Sequence, residues 1–139
     1  MEDQERVPFL WHYLRVLVLM IIAVNVAAVL LALWSPVRIP AGTLAVIPPV
    51  TAALSVGRAW VRMTAEAPFG RQAWLWSVAA AAAFLAVNIL LLPLLFVQFE
   101  PTPDLMRITG TLFLGAAMLA IPVHRLCLAL GARSILQRH

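Results

Sequence analysis

The sequence predicts an all-α fold: a polytopic membrane protein of four transmembrane helices in an antiparallel bundle, with both termini cytoplasmic. Three observations carry that expectation. Of the 139 residues, 63% are hydrophobic and only 12% are charged, whereas about a quarter of a soluble domain is charged. A soluble core of this size cannot hide so much apolar surface, so lipid must solvate it. The apolar residues gather into four long runs with short, proline-containing segments between the first and second and between the third and fourth. All ten cationic side chains are arginines, and they are distributed unevenly around those runs.

The first run covers Leu10–Trp34. Its centre, residues 16–33, is 18 residues long, or roughly 27 Å at about 1.5 Å per residue, close to the hydrocarbon thickness of a bilayer. That is longer than a signal-peptide core, and the segment before it is acidic (Glu2, Asp3, Glu5), so it reads as an uncleaved anchor. Further spans are expected at about 41–61, 72–97 and 105–124, followed by a short cytoplasmic tail, 125–139, and the whole forms one transmembrane domain. Pro36, Pro40, Pro101 and Pro103 mark the first and third loops. Short loops lead one to expect that sequential helices are antiparallel neighbours.

Arg6 and Arg15 lie at the start of the first span, Arg58, Arg62 and Arg71 around the second loop, and Arg125, Arg133 and Arg138 after the fourth span. Arg38 and Arg107 alone fall on the other side, so the count of eight against two places both termini in the cytoplasm. Trp11, Trp60, Trp74 and Trp76 fall near the same ends, where an indole buries its ring and keeps its N–H wet. Trp34 marks the outer end of the first span. Arginines scattered between apolar runs do not form a nucleic-acid footprint.

Helices in lipid associate through close backbone approach and hydrogen bonds. Small residues four apart recur in each span: Ala23 and Ala27, Ala53 and Gly57, Ala79 and Ala83, Thr111 and Gly115. Asn25 and Asn88 fall at similar depth in the outer half, and an amide facing lipid is costly. The expectation is that both point into the bundle and come within hydrogen-bond reach of each other or of a shared water. Pro48 and Pro49 interrupt the second span at about that level, and Pro93 bends the third, each freeing a backbone carbonyl. Asn25, Asn88, Pro48 and Arg107 therefore define a candidate intramembrane polar site, with a cavity in the outer half. Asp104 is expected to pair with Arg107 at the start of the fourth span.

Much chemistry is missing. No Asp, Glu or Lys lies within a span, whereas small proton-coupled transporters need an embedded carboxylate; the first-helix glutamate of the small multidrug-resistance family has no counterpart. One cysteine, Cys127, excludes an intramolecular disulfide. His12 and His124 both fall at the cytoplasmic level, and haem held between them is the sharpest cofactor alternative. Both are flanked by interface residues, so no cofactor is expected. The sequence contains no Ser–His–Asp arrangement, phosphate loop or metal-ligand cluster. On the cytoplasmic side, Arg58 and Arg62 lie one helical turn apart and can snorkel to phosphates. With Arg71, Trp74 and Arg125 they form a candidate contact for lipid or a partner. Glu66 can pair with Arg62 or Arg71, and Pro68 and Gly70 turn the chain into the third span. Gly131 is a possible end signal for the fourth helix.

In its layout, and in Gly57, Trp60, Pro68, Gly70, Ala73 and Trp74, the chain resembles a family of small uncharacterised four-span proteobacterial inner-membrane proteins. Gln72 stands where an acidic residue is expected. The resemblance implies a multi-pass protein of the bacterial inner membrane and no particular activity. The expected function is non-enzymatic: a small accessory or interaction protein that packs against a larger membrane complex or another copy of itself. Alternatives are a carrier or pore for a small molecule or lipid, using the outer-half site, and an immunity protein against a membrane-active toxin.

Overall fold

A computed structural model of the chain describes residues 9–35, 41–98 and 102–137. Four helices follow in order: α1 (Leu10–Trp34), α2 (Ala41–Thr64), α3 (Gly70–Gln98) and α4 (Pro103–Leu136), with no strand among the described residues. Arg6, Arg38 and Arg138 lie outside the described residues.

The second loop shows how local chemistry sets a boundary. Ala65 takes a left-handed conformation at φ 58°, and its N–H still bonds the Val61 carbonyl at 2.9 Å, a helix stop of the αL type. The Thr64 hydroxyl donates to the Trp60 carbonyl at 2.9 Å. Gly70, at φ 63°, opens α3 where a Cβ is disfavoured, so the expected turn at Pro68 and Gly70 is present. Glu66, Arg62 and Arg71 are all exposed, and no ion pair joins them among the described residues.

Three helices are long and apolar enough to cross a membrane: Leu10–Trp34, Gly70–Leu91 and Met106–Leu136. By length and composition α2 does not join them, although a span was expected there. Pro48, Pro49, Arg58 and Arg62 lower its apolarity, and its position explains why that is tolerated. Pro48, Pro49, Ala52, Ala53, Val56, Gly57, Trp60 and Val61 are all buried, so much of its surface meets protein.

Two sequential pairs, α1 with α2 and α3 with α4, are neighbours as loop length predicts, but α2 and α3 are not. The most extensive packing is α2 on α4, then α1 on α2 and α3 on α4, with a smaller contact of α1 on α3. The order around the bundle is thus α1, α2, α4, α3, and α2 and α3 face each other across it although five residues join them. The cause is a close crossing of α2 on α4. A Cβ added at Gly57 would lie 2.3 Å from the Leu128 carbonyl oxygen, and one at Gly131 would lie 2.3 Å from that of Leu54. Two glycines bring the backbones together, as small residues do in lipid. Gly131 is therefore no end signal: α4 continues through it to Leu136, because its missing Cβ serves contact with α2.

The core consists of Tyr13 and Leu17 from α1, Ala52, Ala53, Val56 and Trp60 from α2, Ala73, Trp76 and Ala80 from α3, and Cys127 and Leu128 from α4. It draws on the first half of α1 and α3 and on the second half of α2 and α4. The remaining halves carry exposed apolar residues, including Leu30, Leu33 and Trp34 on α1 and Leu114, Met118 and Leu119 on α4. Of the four small-residue pairs, Ala53 and Gly57 are both buried, Ala79 and Ala83 are half-buried, and Ala23, Ala27, Thr111 and Gly115 are exposed.

Candidate functional site

At the centre of the packed end, the Tyr13 hydroxyl lies 2.6 Å from Nε2 of His124. Tyr13 is fully buried and His124 is 2% exposed. Nδ1 of His124 lies 2.6 Å from the Ala120 carbonyl oxygen, which can only accept, so Nδ1 carries a proton. In the neutral ring Nε2 is then an acceptor, and the tyrosine donates to it. Nothing else in the ring can bond further. Tyr13 meets Trp76 edge to face with ring centroids 5.6 Å apart, and Phe84 lies against the imidazole at 6.1 Å. The buried Trp76 Nε1 has no hydrogen-bond partner, while the buried Ser77 hydroxyl donates to the Ala73 carbonyl at 2.8 Å.

This pair was missed in the sequence, where His124 was set among interface residues and Tyr13 was not singled out. The signal that distinguishes them is register. His12 and Tyr13 are adjacent, so their side chains leave the helix about 100° apart. Tyr13 takes the core face, and His12 is exposed beside α2, with Nε2 3.4 Å from the Ser55 hydroxyl. The two histidines therefore do not face one another across a shared pocket. Both His124 nitrogens are engaged, which leaves no lone pair for an axial iron bond in this arrangement. Cys127 is buried one turn beyond His124, and among the described residues no three His, Cys, Asp or Glu side chains gather to hold a metal ion.

Among the described residues, no hydrogen bond joins Asn25 and Asn88. Asn25 is exposed, and its amide donates to the Ile21 carbonyl at 2.7 Å; Asn88 is half-buried and donates to the Phe84 carbonyl at 2.8 Å. Each amide donates one N–H one turn back on its own helix, which lowers the cost of facing lipid. Pro48 is buried within α2, whereas Arg107 is exposed on the first turns of α4. A surface depression of about 410 Å³ lies along Trp11, Leu14, Arg15, Val18 and Leu19 of α1. Asp104 and Arg107 are both exposed, and the expected ion pair between them is not formed among the described residues.

The arginine rim, in contrast, faces outward. Arg58, Arg62, Arg71 and Trp74 are exposed and Arg125 is half-buried. They occupy the helix ends that supply the core. Arg15 adds to them, its guanidinium 5.2 Å above the Trp11 ring, a cation–π contact. Family models, curated proteins and solved structures were all compared with the chain, and none matches it.

Proposed function

We propose that the chain crosses a bacterial inner membrane four times as an antiparallel bundle, with both termini and the second loop in the cytoplasm. Its role is that of a non-enzymatic accessory protein, held by lateral contacts to a larger membrane complex or to another copy of itself. The layout it shares with the family of small inner-membrane proteins supports the location. One-ended packing is the observation that carries the reading. Only 6% of the apolar window of α1 is buried, against 22% for α3 and 25% for α4. Three long apolar helices therefore offer most of their surface to lipid or to other helices. A core drawn alternately from first and second halves of successive helices is what antiparallel spans produce when they pack at one level. The outward arginines at that level suit headgroup phosphates. For α2, the neighbours α1 and α4 supply the apolar environment that its own sequence lacks.

The carrier or pore reading is the weaker of the two, because the Asn25 and Asn88 amides each donate to their own helix and not to one another. The buried Tyr13–His124 pair is closed to solvent, and among the described residues no acidic side chain bonds to it. Purification from the native membrane in mild detergent, with identification of co-purifying proteins, tests the accessory role. Recovery only as a lone monomer overturns it. Orientation has its own measurement. In a Cys127→Ser background, a membrane-impermeant maleimide applied to spheroplasts will label Asp104→Cys and spare Glu66→Cys. The reverse pattern inverts the topology.

A further inference from the structure

The outer half of α4 carries a face that its own chain does not use. Asp104, Arg107, Ile108, Thr111, Gly115 and Met118 follow the three-and-four spacing that places them on one side of a helix, and all six are exposed. Gly115 makes the point most sharply. A Cβ added there meets nothing within 4 Å, whereas at Gly57 and Gly131 it meets backbone. Glycine is disfavoured inside a helix, and at this position the fold of the single chain does not require it. The same face ends in one anion and one cation, three residues apart, with no ion pair between them among the described residues.

We infer that this face is a dimer interface, and that its occupant is the same face of a second copy. The inference rests on the proposed membrane-spanning reading. A two-fold axis along the membrane normal sets equal residues at equal height. Asp104 of each copy then lies about 4.5 Å along the axis from Arg107 of the other, within reach of a long guanidinium side chain. The two pairs form symmetrically and offset the like charges that the two-fold axis brings together at the end of the span. A single chain carries both halves of the required complement, which singles out a second copy as occupant. Below the pairs, Thr111 and Gly115 allow the two α4 backbones to approach closely.

The test uses the full chain in its native membrane, in a Cys127→Ser background. Under mild oxidation, Thr111→Cys and Gly115→Cys will form disulfide-linked homodimers. Ala116→Cys, exposed but about 100° away around the helix, will not. Asp104→Arg alone and Arg107→Asp alone will each reduce the Gly115→Cys crosslink at least about fivefold, and the double exchange will restore it, as expected for coupled charges. Gly115→Leu will reduce dimer recovered in mild detergent without changing helix content. Equal crosslinking at 111, 115 and 116, or failure of the double exchange to restore it, overturns the inference. So does an adduct with a different protein, which leaves the accessory role standing. Release of the chain by alkaline extraction of the membranes overturns the membrane reading itself.

Discussion

Gly131→Ala and Gly57→Ala will each destabilise the bundle by about 3 kcal/mol, at the upper end of what overpacking usually costs. The added methyl group at either position would lie 2.3 Å from a backbone carbonyl oxygen of the opposing helix. No side-chain rotation relieves that contact, because the obstacle is main chain on both sides. The helices must separate, and Ala53, Val56 and Leu128, which are fully buried around the crossing, lose contact together. Two results distinguish this account from a loss of flexibility. The double variant will cost clearly less than the sum of the singles, since helices already forced apart by one methyl accommodate the other. Gly115→Ala will be neutral, or will stabilise by up to about 1 kcal/mol through helix propensity. Unfolding in mixed micelles with increasing dodecyl sulfate, followed by circular dichroism, measures all four proteins. Wild-type midpoints for Gly57→Ala and Gly131→Ala would exclude backbone contact at the crossing.

The two glycines also show where a sequence stops being informative. The limits of α1 and the start of α2 agree with the expectation, since apolar runs bounded by prolines leave few alternatives. Gly131 does not, because a helix-ending glycine and a helix-crossing glycine are the same residue with different neighbours. What decides between them is the opposing Leu54 carbonyl, seventy-seven positions away in the chain. Asn25 fails for a related reason. Its helix is apolar on every side, so no stripe of hydrophobicity tells which face is inner, and the amide can donate to the Ile21 carbonyl of its own helix. The exposure of Arg58, Arg62 and Arg71 at helix ends was legible, because charges at loops and ends need no register. The Tyr13–His124 pair was not, because a single residue of register separates Tyr13 from exposed His12.

That pair supports the second large effect. Tyr13→Phe will destabilise the bundle by about 1 to 3 kcal/mol, although it removes one oxygen atom, because it strands the Nε2 acceptor of His124 in a dry interior. His124→Leu, which strands the tyrosine hydroxyl instead, will cost a similar amount. Combined, Tyr13→Phe and His124→Leu leave neither group orphaned. The double variant will therefore recover about 1 to 2 kcal/mol relative to the sum of the singles. The same dodecyl sulfate titration gives the cycle, and strict additivity would mean that the 2.6 Å contact contributes nothing. The geometry of the bundle gives the coupling a purpose. With the helices ordered α1, α2, α4, α3, the first and last helices lie diagonally opposed and share little backbone contact. Ridges and grooves between neighbours set the spacing of adjacent helices but leave the diagonal free to slide. A short, directional bond between two rings reaches across it, with Trp76 and Phe84 held against the rings on the α3 side. Moving α1 or α4 by one residue turns either Tyr13 or His124 away from its partner, so the cost of an unpaired buried group falls on every wrong register. In a chain whose helices are otherwise so uniformly apolar, this polar contact discriminates between arrangements that burial alone scarcely separates.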